Sequence, residues 1–76
     1  MLEELREVAG EGGPAASLAN ELLVIRDQYE SSQLSLEEYS FLLNQIVEVK
    51  AAQELSNYEQ AFRYIIAAAQ ALSLVV

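Results

Sequence analysis

The chain has 76 residues, twelve acidic against four basic side chains, and a formal net charge of −8. So short a chain makes one domain at most, and its acidity argues against binding a phosphate backbone, which needs lysine and arginine. Cysteine and histidine are both absent, which removes disulfides, the usual metal ligands and the usual proton shuttle.

Residues 2–9 predict a short helix with Leu2, Leu5 and Val8 or Ala9 on one side and Glu3, Glu4 and Glu7 crowding it. Isolated helices below ~12–15 residues are marginal in water. The stretch "GEGGP" follows and holds all three glycines and the single proline. This reads as a flexible hinge, so that residues 1–13 form an N-terminal arm and residues 14–76 a single helical domain.

Pro14 stands where the first helical position favours proline. Ala15, Leu18, Leu22, Ile25 and Tyr29 recur at spacings of three and four and predict a helix over about 14–30. Arg26 and Glu30 make an i,i+4 pair on it.

The stretch "LSLEEY", residues 34–39, carries a capping box. Ser35 can accept from the backbone N–H of Glu38, and the Glu38 carboxylate can accept from the N–H of Ser35. Leu34 and Tyr39 sit at the positions of a hydrophobic staple. Glu37 and Glu38 suit the positive first turn of a helix. Tyr39, Leu42, Leu43, Ile46 and Val49 then form the expected buried stripe. The short link after Glu30 predicts an antiparallel hairpin, with Ile25 and Tyr29 folding back near Tyr39 and Leu43.

"LSNYEQ", residues 55–60, offers two weaker boxes, Ser56 with Glu59 or Asn57 with Gln60. Residues 36–74 can be one helix or two, and a break at Ser56–Asn57 is the favoured reading, because serine and asparagine prefer caps to helix interiors. The last helix is alanine-rich and apolar over most of its circumference. Phe62, Ile65, Ile66, Ala69, Leu72 and Val76 share a broad side, and Ala68 extends it. A short hairpin covers one face only, so this side is the expected contact surface. The fold class expected is all-α: an arm, a helical hairpin and a C-terminal helix, as a small three-helix bundle or an extended hairpin.

The run "LLVIRDQYESSQLSLEEYSFLL", residues 22–43, resembles the short helical hairpin element known as SHOCT. Leu34, Ser35, Glu37, Glu38, Tyr39, Leu42 and Leu43 match its pattern of a leucine or isoleucine, a hydroxyl residue, paired glutamates, an aromatic and two leucines. It is also similar to small helical proteins of tailed phages. The resemblance implies an interaction or assembly role, such as a virion component, and no catalytic residue.

No residue set points to a reaction. Glu3–Glu4 and Glu37–Glu38 are sequence neighbours, which do not face each other on a helix. Asp27 and Glu30 lack a calcium-loop pattern, and "GEGG" lacks the Lys-Ser/Thr of a phosphate loop. The four tyrosines, Tyr29, Tyr39, Tyr58 and Tyr64, lack the basic neighbours of base-stacking platforms. The reading is therefore a non-enzyme without cofactor or metal, a small acidic subunit that contacts a protein partner or its own copies through the last helix. The alternative is an acidic inhibitor that mimics nucleic acid and occupies a basic groove on a host enzyme. The uncharged run from Tyr64 to Val76 is shorter than the ~20 residues a bilayer span needs, and the N-terminus has no signal-peptide pattern. Direct nucleic-acid binding and membrane insertion are not expected, and the expected location is intracellular or within a virus particle.

Overall fold

A computed structural model describes residues 2–75. Helix α1 spans Leu2–Glu11, α2 Ala16–Glu30, α3 Leu36–Gln45, α4 Ala51–Leu55 and α5 Glu59–Leu74, and a π-helical segment, Ile46–Lys50, joins α3 to α4. The fold is the expected all-helical bundle, with no strand among the described residues.

The N-terminal segment is not a detached arm. Leu5 of α1 is fully buried in the common core, and Leu2, Val8 and Ala9 pack against that core. The helix also runs through Gly10 and Glu11 into the stretch read as a hinge. Gly12, at φ +74°, stops it in the left-handed region that glycine enters without penalty. Asn20 Nδ2 of α2 donates to Ala9 O at 3.4 Å, so the end of α1 is also tied by a side chain. A helix too short to stand alone is held here by its tertiary face. Burial of one leucine contributes ~1.5–3 kcal/mol, enough to outweigh marginal local propensity.

Helix α2 starts two residues later than proline placement implied. Pro14 lies in the preceding turn, where the Ala16 N–H donates to Gly13 O at 3.0 Å. Ala15 is the N-cap and supplies no side-chain bond. Of the expected stripe, Ala15, Leu18, Leu22 and Ile25 are buried and Tyr29 is half-buried against them, and Ala19 joins the buried set. At the other end Ser32 N–H donates to Tyr29 O and Gln33 N–H to Gln28 O, the paired bonds of a Schellman stop. Ser32 takes the left-handed position at φ 63°, a place where glycine is the unstrained residue.

The capping box at α3 forms as the sequence implies. Glu38 N–H donates to Ser35 Oγ at 3.1 Å, and Ser35 N–H donates to Glu38 Oε1 at 2.8 Å. Leu34 is half-buried against the core that contains Tyr39. The hairpin closes where expected, with the Tyr29 and Tyr39 rings stacked at 4.2 Å and 17°.

Of the stripe expected on α3, Tyr39, Leu43 and Ile46 are buried, Leu42 is half-buried, and Val49 leaves it and is exposed. The cause is the π-helical segment, in which Ala51 N–H donates to Ile46 O, five residues back. This wider turn lets Ile46 and Ala51 both face inward, and Leu55 follows one α-turn later. Val49 and Glu48 are left outside, and Lys50 reaches Glu21 of α2 as an ion pair.

The chain does break between α4 and α5. Tyr58 has non-helical dihedrals, φ −131° and ψ 79°, and is the N-cap of α5, without a side-chain cap bond. Neither expected box, Ser56–Glu59 or Asn57–Gln60, is formed. The turn rests on backbone bonds instead, Tyr58 N–H to Leu55 O and Phe62 N–H to Tyr58 O.

Candidate functional site

The residues expected to meet a partner are mostly inside the molecule. Ile65, Ala68, Ala69 and Leu72 are buried by the chain's own helices, and Phe62 and Ile66 are half-buried against the same core. Val76 lies outside the described residues. The contact surface placed on α5 is thus corrected. The helix is covered from more sides than a hairpin offers, because α2, α3 and the π-helical segment all pack on it.

A polar node locks the end of α5 into this core. The Tyr39 hydroxyl donates to Leu72 O at 3.0 Å and accepts from Arg26 at 3.0 Å. Arg26 also donates to Val75 O at 2.9 Å, and its Nε lies 3.3 Å from Glu30 Oε2 without hydrogen-bond geometry. The guanidinium carbon stands 5.7 Å from both the Tyr29 and Tyr39 ring centroids. The Tyr39 bond raises the guanidinium's affinity for its proton, against the opposing effect of burial. A positive charge beside the last carbonyls of α5 also complements the helix dipole. These atoms are committed to one another, so the node holds the fold. The sequence reading gave Arg26 only a surface pair with Glu30. Its contact with the α5 terminus joins residues 49 positions apart.

A crevice of about 200 Å³ lies between α1 and α5, lined by Glu4, Tyr64, Ala67, Ala68 and Ala71. The Tyr64 hydroxyl is buried there without a hydrogen-bond partner. Burial raises its pKa above the ordinary phenol value, and the nearby Glu4 and Glu7 carboxylates add to the shift. Glu4 therefore acts on the hydroxyl through its charge, although the two do not meet in hydrogen-bonding geometry. A phenol kept protonated by burial and neighbouring carboxylates is a poor base, and Glu4 is the one other titratable residue lining the crevice.

The open apolar surface is on α3. Phe41 is 61% exposed and Leu36 is 50% exposed. Phe41 forms a shallow groove of about 330 Å³ with Leu34, Glu37, Glu38 and Leu42. Glu37, Glu38, Phe41 and Leu42 share one side of α3, and Leu34, just before the extended N-cap Ser35, closes the groove at the start of the helix. The side is apolar at both ends and carries two carboxylates in the middle. The capping box fixes where this helix starts and thereby which way the side faces. A signal for it exists in the sequence: Phe41 is a large apolar residue lying off the Tyr39–Leu42–Leu43–Ile46 stripe. The other exposed large apolar residues are Leu74 and Val75 at the end of α5, Val24 on α2, Val49 in the π-helical segment and Tyr58 before α5.

Among the described residues, no group of three or more acidic side chains is placed to hold a metal ion, and no helix is long and apolar enough to cross a membrane. Ser35 and Glu38 Oε1 are occupied with each other in the cap, which leaves the second oxygen of the exposed Glu38 carboxylate open. No family model matches the chain, and neither does any curated protein or solved structure.

Proposed function

We propose that the protein works by contact, as a small acidic interaction subunit that docks a protein partner through the outer side of α3. One observation carries this reading. Phe41, the aromatic with the highest fractional exposure among the described residues, is grouped with Leu34 and Leu42 in a groove rather than standing alone. Isolated apolar side chains are ordinary on a protein surface, whereas grouped ones with a polar rim are typical of docking sites. The groove also falls within the SHOCT-like segment, for which the resemblance implies an assembly role. The α5 face contributes indirectly, as the core that presents α3.

Tagged wild type and Phe41→Ser, each purified from the native host through a salt wash, test the reading. A protein held by the wild type and lost from the variant is the expected result. Identical sets from both overturn it.

The inhibitor reading keeps one specific support. Glu3, Glu4, Glu7, Glu11, Glu48 and Glu54 are exposed and form no ion pair among the described residues. A partner that survives Phe41→Ser but dissociates steeply with salt favours that alternative, because carboxylate contacts are screened and apolar ones are not.

A further inference from the structure

The chemistry of the α3 groove narrows the kind of partner that fits it, an inference that rests on the contact reading above. We propose that the groove takes a basic amphipathic helix, whose apolar residues at i, i+3 or i+4, and i+7 seat against Leu34, Phe41 and Leu42, and whose lysine or arginine side chains meet Glu37 and Glu38.

Charge complementarity selects this occupant. Glu37 and Glu38 are both exposed and line the groove itself, and α3 contains no basic residue to neutralise them. Of the four basic residues of the chain, Arg26, Lys50 and Arg63 are each paired with a carboxylate elsewhere. An apolar partner without positive charge would strip water from these carboxylates and return nothing. A second copy of this chain is disfavoured on the same ground. Two-fold pairing of this surface sets Glu37 and Glu38 of one copy against the same residues of the other, and each copy carries −8 overall. The geometry suits a helix rather than an extended strand. The groove lies along one side of α3, with Leu34 at the start of the helix and Phe41 and Leu42 more than one turn further along, an elongated apolar line of the kind that a helical ligand's anchors follow.

The test uses a labelled peptide of about 16 residues with leucines at helical spacing and lysines flanking them, read by fluorescence anisotropy and by amide shifts of the protein. Two controls keep the charge: a scrambled sequence and a version with the leucines replaced by alanine. The expected result is saturable binding of the patterned peptide only, with shifts at Leu34, Phe41 and Leu42. Phe41→Ser weakens it about tenfold or more, the equivalent of losing one buried aromatic anchor. Glu37→Gln weakens it about threefold, and raising salt from ~50 to ~300 mM weakens it further. Equal binding of either control overturns the proposal, since charge alone then suffices. Binding indifferent to Phe41→Ser overturns the site. Failure of the patterned peptide to saturate overturns the occupant. Sedimentation of wild type and Phe41→Ser then separates the two levels: self-association that needs Phe41 leaves the contact reading standing with a second copy as occupant, and its absence, together with identical sets in the native purification, removes both.

Discussion

Two helical faces of this protein are rich in apolar residues, and they meet opposite fates. The Ile65–Ala69–Leu72 side of α5 is closed over by the chain's other helices, while Phe41 of α3 looks outward beside two glutamates, flanked by the half-buried Leu34 and Leu42. The α5 side has the stronger apolar signal in sequence, yet it is the buried one. Apolarity measures how much a helix gains from being covered. It does not say whether the cover comes from the same chain. The marker of an outward surface is instead an apolar residue out of phase with the core stripe of its own helix, as Phe41 is with Tyr39, Leu43 and Ile46.

The comparison breaks most visibly at Ala69, which is fully buried. Ala69→Glu is expected to abolish cooperative unfolding rather than free a monomer, because an unpaired charge in the core costs several kcal/mol, ~3 or more. Circular dichroism against temperature reads it, and a folded variant would return α5 to the list of open surfaces. Leu5→Ala comes next. A fully buried leucine cut to alanine costs ~2–5 kcal/mol, so the urea midpoint should fall sharply. An unchanged midpoint would restore the detached arm. Ser35→Ala should cost ~1 kcal/mol through loss of the cap that sets the start of α3, again seen in the urea midpoint. Ser32→Gly works in the opposite direction. Relief of the left-handed position at φ 63° should raise stability by up to ~1 kcal/mol, visible as a higher Tm. Phe41→Ser closes the series with a change within ~0.5 kcal/mol, since an exposed ring outside the core holds little of the fold. A large loss of stability there would show that Phe41 belongs to the core and would remove the contrast between the two faces.

The amino-acid sequence by itself determined what depends on near neighbours. The capping box at Ser35–Glu38, the stripe of α2, the short hairpin link and the break after Leu55 all follow from side chains within a turn or two of one another. Local competition for backbone hydrogen bonds is decided at that range. The break was legible while its cap was not, since Ser56 and Asn57 disfavour a helix interior whether or not they bond the next one.

Tertiary structure decided the rest. Leu5 docks although its helix is too short to persist alone, because the stabilising face is supplied by α2 and the common core. The π-helical turn rotates Ala51 and Leu55 inward at the expense of Val49, a shift driven by what the core needs to cover. Arg26 and Tyr39 hold the α5 terminus across a separation that no local pattern encodes. Whether α5 was interface or interior turned on how many helices converge on it, and that number is a property of the packed chain: covering a broad apolar helix gains free energy from any apolar neighbour, and this fold brings its own.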